Sequence, residues 1–334
     1  MPFSSADPNG FVALGMQSAL GTPQVTPAKL RFAKYLSGTT APTPALEVVY
    51  EREGGDGLDV GFAYKKTEKV PGTLVVNLRP EIAGQLFQLV PGGATWDGAS
   101  GPANITFHTG HASHPKGTML IQHPGSLIAQ MLSDVQFTGL TIEGNSGEPW
   151  KITAPYNAAQ YGASFAAVTP TLYGDAPILF HNLAPSGGYL VDGATDTKIS
   201  HFKFDIALNV EELYAQSIDA DDIVVMSRDT TFEFTRRIEN STLWQKVAYG
   251  AGVAPTTSVA TGSFQAIAMY GAAGVANRYV NINAPLVAYD TVTIDDLDPD
   301  GKTVYETYSG RVLKGATTAL IITLGNAHAS AYAP

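Results

Sequence analysis

The sequence contains no cysteine, few charged residues and no long hydrophobic run. Without cysteine the chain forms no disulfide and no thiolate metal site, and it has no thiol nucleophile. No apolar run approaches the ~20 residues that a membrane-spanning helix needs, and residues 1–11 resemble no signal peptide. We therefore expect a protein without a membrane partner, whose fold depends on its hydrophobic core.

Charge is sparse and unbalanced. Charged residues make up 15% of the 334 residues, well below the usual share of about a quarter. Thirty acidic residues against 20 basic ones give a net charge of −10, which argues against a protein that binds nucleic acid by neutralising phosphates. The balance still permits a surface past which DNA slides, because a wall that repels phosphate does not retain DNA by ion pairing.

The abundant residues are those of a turn-rich β protein. Hydrophobic residues make up 44% of the chain, enough for a large core, and there are 34 glycines and 21 prolines. Runs in which apolar and polar residues alternate recur, for example LEVVYE at 46–51 and ISHFKFDIAL at 199–208. Such alternation is typical of half-buried strands. The sequence therefore predicts a mainly β fold of the sandwich or barrel type.

One stretch occurs twice in a loose form, as PGTLVVNLRPEIAGQLFQLV at 71–90 and TTFEFTRRIENSTLWQKV at 230–247. Each copy has the pattern of a half-buried strand, an arginine at a turn and a short helix, and Pro80 stands where a first-turn proline is best tolerated. At one constant offset the matched pairs are Arg79 with Arg236, Leu86 with Leu243, Phe87 with Trp244, Gln88 with Gln245, Val90 with Val247, and Gly93 with Gly250.

This echo indicates an internal duplication. It predicts two β-sandwich units, 1–165 with an N-terminal arm and 166–334, each carrying one short α-helix. We expect the helices to be anchored on the sheets by matched apolar residues, namely Leu86 and Phe87 in one copy, and Leu243 and Trp244 in the other. We expect the two matched arginines to be structural, each holding a carboxylate or carbonyls beside the helix.

Three histidines occur at three-residue spacing in the run HTGHASHPKG: His108, His111 and His114, with His123 beyond. Imidazole is the commonest metal ligand. Glycine and proline interrupt this run, however, and no nearby Asp or Glu offers a supporting carboxylate. We interpret the run as a polar loop and predict no metal site, with a weakly bound ion as the open alternative.

Asp296, Asp298, Asp300 and Gly301 read DLDPDG, like the opening of a calcium-binding loop. That motif has a glutamate at its twelfth position, where this chain has Thr307, with a glutamate one residue earlier. Pro-Asp-Gly between two alternating runs also forms a hairpin turn. We predict the turn here and again leave a weakly bound ion as the alternative.

No catalytic motif is present. The chain has no G-x-S-x-G and no H-E-x-x-H sequence, and nothing in it places a histidine near a serine and an acid. We expect no enzyme activity, no catalytic residue and no cofactor. An active site assembled from distant residues leaves no such signal, so a cysteine-free hydrolase stays an alternative.

Five segments follow one another in a recognisable order: FVALGMQSALGTPQVTPAKLRF, TLVVNLRPEIAGQLFQLVPG, DVQFTGLTIEG, KISHFKFDIALNVEE and TTFEFTRRIENSTLWQKV. In this order they resemble the tail tube proteins of long-tailed, siphovirus-type bacteriophages. More narrowly, the chain resembles the larger kind, in which one chain carries two copies of the tube unit. The resemblance covers about 11–326, while the loops at 93–104 and 250–262 match nothing in the family.

The resemblance implies a structural protein of the virion tail that is assembled in the host cytoplasm. Such a protein polymerises into stacked rings around a tape measure protein, its inner strands join into a β-barrel, and the tube meets tail terminator and distal tail proteins. Double-stranded DNA then passes through the lumen without specific binding. Because single-unit relatives form six-fold rings, two units per chain imply three chains per ring with pseudo-six-fold symmetry.

A two-domain β-sandwich protein that binds glycans is the second interpretation, because it has the same composition. It predicts a monomer with exposed aromatic residues, whereas a tube protein predicts self-assembly. The charged hairpin at 51–69 is either a solvated loop or a subunit contact. As a contact, its lysines would meet acidic residues of a neighbouring copy, for which charge alone suggests Glu211, Glu212, Asp219, Asp221 and Asp222.

Overall fold

The computed structural model describes sixteen ranges of the chain: 11–26, 29–33, 35–40, 43–49, 62–90, 94–96, 103–108, 115–122, 129–162, 177–181, 188–217, 219–250, 254–269, 279–295, 303–315 and 319–326. Within them the chain is mainly β, with twenty strands and two short helices. Every strand pairing is antiparallel. The predicted fold class is therefore confirmed.

The first half of the chain contains twelve strands and a helix: β1 (Phe11–Met16), β2 (Arg31–Ala33), β3 (Tyr35–Thr40), β4 (Thr43–Val49), β5 (Phe62–Asn77), α1 (Pro80–Leu89), β6 (Ala94–Trp96), β7 (Ala103–His108), β8 (Gly117–Gln122), β9 (Ala129–Phe137), β10 (Gly139–Asn145), β11 (Lys151–Ala158) and β12 (Gln160–Gly162). The second half contains eight strands and a helix: β13 (Tyr189–Val191), β14 (Ala194–Thr195), β15 (Ile199–Leu213), β16 (Asp222–Arg237), α2 (Thr242–Tyr249), β17 (Thr261–Met269), β18 (Tyr279–Ile294), β19 (Tyr305–Val312) and β20 (Ile321–Asn326).

Eight strands form one continuous run in the order β3–β5–β11–β10–β15–β16–β19–β18. We call this run the eight-stranded sheet. Along its strands buried and half-exposed residues alternate, as in β11, where Ile152 and Ala154 are buried and Lys151 and Thr153 are not. The alternation follows from the period of two along a strand. One face therefore covers the core, and the other is polar.

A second layer packs on the apolar face. In the first half it consists of β2–β1–β8–β9–β12, and in the second half of β14–β13–β17–β18–β20, extended by β7 and β6. Phe264 on β17 joins the two layers of the second half, because its ring centroid lies 4.8 Å from that of Phe234 and 5.5 Å from that of Phe204. The second half is therefore a β-sandwich in which β18 takes part in both layers.

Seven pairings of the first half recur in the second half in the same order. The pairings β1–β2, β1–β8, β8–β9, β10–β11, β5–β11, β3–β5 and β9–β12 have as counterparts β13–β14, β13–β17, β17–β18, β18–β19, β16–β19, β15–β16 and β18–β20. The long strand β18 replaces β9 and β10, and the register shift after Tyr289 lies where Thr138 separates those two strands. Each helix follows the same strand, β5 or β16.

Local irregularities recur as well. In β3 against β5, Leu36 is an extra residue without a partner, and Ser200 is its counterpart in β15 against β16. Lys66 in β5 and Met226 in β16 are extra residues at a second matching place. A bulge adds one residue and locally bends a strand, so coincident bulges are unexpected between unrelated sheets. They match β3 to β15 and β5 to β16 residue by residue.

The residue matches drawn from the sequence are therefore wrong in the strand, although the matched elements are right. The sequence match makes Leu74, which is buried, equivalent to Thr231, which is half-exposed. The shared bulges instead make Leu74 equivalent to Phe234, which is also buried. The two matches differ by an odd number of residues, which flips the face, because side chains alternate along a strand. Arg79 and Arg236 are consequently not equivalent residues.

The helices lie where the sequence predicts them. α1 begins at Pro80 and packs against β1, β2, β7 and β20, while α2 packs against β18. Leu86 is fully buried, and Phe87 and Leu243 are buried. Trp244 is only half-buried and packs edge-on against Tyr249 with ring centroids 5.4 Å apart, so its predicted role as an anchor is wrong. The connection before α2 is two residues longer than that before α1, and this adds to the shift of the match in the preceding strand.

Truncating the helix anchors gives an expected order of stability losses. Leu86→Ala removes a side chain with 0% exposure and should lower the free energy of unfolding by about 2–5 kcal/mol. Leu243→Ala should lie at the lower end of that range, because α2 is shorter and more exposed. Urea unfolding followed by circular dichroism measures both. Equal midpoints for Leu86→Ala and the parent protein would contradict the packing of α1.

Candidate functional site

The two halves meet in the middle of the eight-stranded sheet, where β10 pairs with β15. Seven residue pairs form this junction, from Gly139 opposite Ala207 to Asn145 opposite His201. On the apolar face Ile142 lies opposite Phe204, and both are fully buried. The junction therefore has the pairing and the burial of a sheet interior.

Polar side chains cross the same junction on the other face. Thr141 Oγ1 donates a hydrogen bond of 2.7 Å to Asp205 Oδ1, and His201 Nδ1 lies 2.8 Å from Asn145 Oδ1. Opposite groups on neighbouring strands are the unit of sheet stabilisation, typically at about 0.2–1 kcal/mol per pair. These contacts fix the register of β10 against β15.

Four residues of alternating charge form a row across this face. Lys151 lies opposite Glu143, Glu143 opposite Lys203, and Lys203 opposite Glu233. The same face carries further hydroxyl and amide groups, at Thr73, Asn77, Thr141, Thr153, Thr231, Thr235, Thr307 and Ser309. The face is therefore polar with charges of both signs, so the acidic excess of the chain is not concentrated here.

The outer parts of β15 and β16 form an antiparallel pair that lies on the first half. We call the described residues 208–217 and 219–228 the second arm. Lys116 is 8% exposed, its Nζ lies 2.9 Å from Asp222 Oδ1, and it donates a hydrogen bond to the carbonyl of Ile223. A buried ammonium group requires such partners, because burial removes its hydration. Lys116 therefore fastens the second arm to the loop before β8.

Apolar contacts and a further hydrogen bond complete this attachment. Ala159, Ala220 and Ile223 form a small buried cluster, with Val210 and Tyr214 packed against it. Glu212 Oε1 also accepts a hydrogen bond of 2.8 Å from Asn157 Nδ2. Glu212 and Asp222, which charge alone suggested as partners of a neighbouring hairpin, thus have partners within the chain.

Asp134 supports the loop next to Lys116. It is 2% exposed, its φ is 53°, and its two carboxylate oxygens accept hydrogen bonds of 3.0 and 3.1 Å from the backbone N–H of Gly21. Burial raises the pKa of Asp134, although the Gly21 hydrogen bond and the charge of Lys116 oppose the rise. The loop at the end of β1 is therefore held against β9.

A second strand pairing joins the halves in the outer layer. β7 of the first half pairs with β20 of the second through six residue pairs, from Ala103 opposite Asn326 to His108 opposite Ile321. The strands β6 and β7 lie between α1 and β8, whereas the described residues between α2 and β17, 254–260, contain no strand. The junction between the halves therefore includes one pairing without a counterpart among the described strands.

Arg236 is structural, as the sequence predicts. Its Nε lies 2.5 Å from Glu306 Oε1, and its Nη1 lies 3.0 Å from Asp196 Oδ2. The pKa of Arg236 is raised, because the two carboxylates outweigh the opposing effect of burial. Burial raises the pKa of Tyr308, which lies under the guanidinium with its ring centroid 5.7 Å from Cζ.

A cavity of about 310 Å³ adjoins this cluster, between the turn after β13 and the start of α2. Its wall includes Lys246, whose Nζ lies 2.7 Å from Asp192 Oδ2. Arg79 lies at the start of α1, where its carbonyl accepts a hydrogen bond from Ala83. The charged groups of this wall that form ion pairs include Arg236, Asp196, Lys246 and Asp192. Such pairing is typical of a structural cluster.

The candidate metal ligands fall mostly outside the described residues. His108 ends β7, with its side chain undescribed, while His111, His114, Asp296, Asp298, Asp300 and Gly301 are not described at all. Glu306, one residue from the position that a calcium loop would use, is bound to Arg236. Among the residues that the structure does describe, no group of three or more His, Asp or Glu side chains is placed to hold a metal ion.

Sequence reasoning found parts of the junction strands but not the junction. The patterns at 135–142 and 199–208 each predict one strand. The second is β15, whereas the first covers the end of β9 and the start of β10, which Thr138 separates. Neither pattern says which strands pair. The opposite charges of Glu143 and Lys203 are compatible with pairing, but many other charge pairs satisfy the same rule. Lys116 lies in a loop without periodicity, so no sequence signal marks it.

In the described part of the chain no helix has the length and hydropathy to cross a membrane. No curated protein matches the sequence. A family model described as phage tail tube protein matches residues 8–295, which is most of the chain. With its antiparallel sheet and its two helices, the chain therefore belongs to the phage tail tube protein family.

Proposed function

We propose that the protein polymerises into stacked rings that form the tail tube of a siphovirus-type bacteriophage. In this proposal the rings assemble around a tape measure protein in the host cytoplasm, and the tube meets tail terminator and distal tail proteins at its ends. During ejection, double-stranded DNA passes through the lumen. The role is structural and involves no catalysis.

The repeated order of strands in the eight-stranded sheet carries this proposal. The strands β3–β5–β11–β10 are followed by their counterparts β15–β16–β19–β18, so two units lie side by side in one sheet. We assign these units to 1–165 and 166–334. A repeated unit that pairs head to tail with its twin is suited to extending the same pattern to further copies.

Three chains per ring follow from the two units. Each chain contributes eight strands to the sheet. A head-to-tail contact closes into a ring only if its rotation divides the circle. If each unit turns the sheet by one sixth of a circle, three copies close a β-barrel with pseudo-six-fold symmetry and leave no open edge.

The polar face is suited to the lumen. Its row of Lys151, Glu143, Lys203 and Glu233 alternates in sign, and hydroxyl groups surround it. Neighbouring opposite charges neutralise each other, so such a wall offers DNA no continuous basic track for ion pairing. We propose that this face lines the channel and that the apolar face and the second layer lie outside it.

The number of chains per ring is the decisive measurement. Cryo-electron microscopy of the purified protein, at concentrations at which it assembles, should show rings or tubes with three copies per ring. Six copies per ring would contradict the assignment of two units to each chain. A protein that stays monomeric and binds glycans would contradict the tube and favour the glycan-binding alternative, which the family match does not support.

A further inference from the structure

We infer that the junction within the chain is the template for the contact between copies. The open edge of β18 pairs antiparallel with β3 of a second copy, and the second copy's first arm, formed by β4 and residues 62–69 of β5, lies on a surface around Leu313. This inference rests on the proposed function, because it specifies the contact that closes the ring. It adds the register and the residues.

No second neighbour covers either edge among the described strands. β3 pairs only with β5, and the part of β18 after its register shift pairs only with β19, among the strands that the structure describes. They are the two ends of the eight-stranded sheet. Soluble proteins cover or interrupt long strand edges, because an open edge presents unpaired N–H and C=O groups. A second copy covers both ends by continuing the order in which β10 is followed by β15.

The repeat within the chain identifies the counterpart of each residue at the open edge of β18. The register shift of β8 against β9 occurs at Val135, and that of β17 against β18 occurs at Val287. These two residues are therefore equivalent. Counting on from them along the chain makes Ile142 in β10 the equivalent of Ile294 in β18.

The other edge is matched in the same way, and the two matches together fix the register. The shared bulges of β3 and β15 make Thr40 the equivalent of Phe204. At the junction within the chain Ile142 lies opposite Phe204. If the contact between copies repeats this junction, Ile294 of one copy lies opposite Thr40 of the next.

Burial independently supports a further strand at this edge of β18. Ile142 has 0% exposure, because β15 and the layer behind it cover the side chain. Ile294, its counterpart at the open edge, is 41% exposed. A β-branched apolar residue with this exposure at the end of a sheet is explained if a further strand covers it. Pairing with β3 gives Ile294 the environment that Ile142 already has.

The surface for the first arm follows from the same comparison. The carbonyls of Trp150 and Val304 accept equivalent backbone hydrogen bonds, each from the residue that directly follows β5 or β16. These two residues match β11 to β19. Counting on from them makes Ala159, which is 2% exposed in the cluster under the second arm, the equivalent of Leu313.

Leu313 is 36% exposed, and Arg311, the counterpart of Asn157, is 62% exposed. Asn157 binds Glu212 of the second arm. Leu313 and Arg311 are thus exposed, whereas their counterparts in the first half, Ala159 and Asn157, hold the second arm. The pairing of β4 with β5 has a bulge at the same place as the second arm. The first arm therefore has the shape to occupy this surface in a neighbouring copy.

A disulfide between copies tests the register, and the chain is free of background cysteine. In the variant Thr40→Cys/Ile294→Cys the two cysteines lie at opposite ends of one sheet, so each disulfide joins two copies. Because three copies close the ring, assembled and oxidised tubes should give covalent dimers and trimers on a denaturing gel and nothing larger. Directly opposite residues have the Cα separation that a disulfide needs. The matched control Thr40→Cys/Val292→Cys, displaced by two residues on the same face, should cross-link poorly.

The outcomes separate this inference from the proposed function. Tubes in which the control pair cross-links better than Thr40→Cys/Ile294→Cys would overturn the register and leave the tube intact. A parent protein that forms no rings under any condition would overturn the tube itself.

A substitution at Leu313 tests the arm. Leu313→Asp should raise the concentration needed for assembly by roughly tenfold or more, because it places a charge on a surface that assembly desolvates. The melting temperature of the unassembled protein should stay unchanged. Leu313→Met keeps the apolar contact and should assemble like the parent. Assembly of Leu313→Asp at the parent's concentration would exclude this surface as the docking place of the arm.

Discussion

Arg236→Met should lower the free energy of unfolding by about 3–5 kcal/mol. The substitution leaves the carboxylate of Glu306, which is 1% exposed, buried without its counter-charge, and it also removes the partner of Asp196. Breaking a buried ion pair from one side costs more than the pair contributes, because the remaining charge has lost both its hydration and its partner. Urea unfolding and thermal melting of the unassembled protein measure the loss.

The neighbouring residue provides a matched control. Arg237 has 48% side-chain exposure and lies 3.6 Å from Glu239, so Arg237→Met should change stability by less than about 1 kcal/mol. In the double variant Arg236→Met/Glu306→Gln a neutral amide replaces the carboxylate of Glu306, so part of the lost stability should return, while Asp196 still lacks its arginine partner. If Arg236→Met and Arg237→Met melt at the same temperature, the cluster is not the structural element described above.

Phe264→Ala should be destabilising to a similar extent, at about 3–5 kcal/mol. The ring has 0% exposure and stacks on Phe234 with an interplanar angle of 11°. Removing it leaves a cavity between the two layers of the sandwich that the neighbouring aromatic rings fill only in part.

Phe264→Leu serves as the control, since it restores much of the volume and should lose distinctly less stability. The comparison is made by urea unfolding of both variants. Equal losses for Ala and Leu would show that the volume of the ring is not what joins the layers.

The sequence was sufficient for the class of fold and for most elements. Alternation of apolar and polar residues identifies strands such as β15 and β16, because one face of each strand meets the core. Pro80 and the helical spacing of Ile82 and Leu86 identify α1 for the same local reason. These signals depend on residues near one another in sequence, and they are therefore readable from sequence.

Pairing was not readable, because it depends on residues far apart. The register of β10 against β15 arises where two sheets meet, and the alternating patterns fit many partners equally well. One constant offset identified the repeated elements, yet the spacing between equivalent residues differs from strand to strand in the structure. A single offset therefore could not match residues such as Leu74 and Phe234. The candidate site, which consists of strand edges and an arm, leaves no chemical motif at all.

The pairing of β7 with β20 affects how the chain folds during synthesis. These strands lie far apart in the sequence, and β20 is the last strand that the structure describes. Contacts of such long range form slowly, because closing a long loop costs entropy before the pairing stabilises it. Until β20 has left the ribosome, β7 and the first part of β18 each lack one of their two neighbours. A nascent or truncated chain that ends before 319 therefore exposes two strand edges and is prone to aggregate.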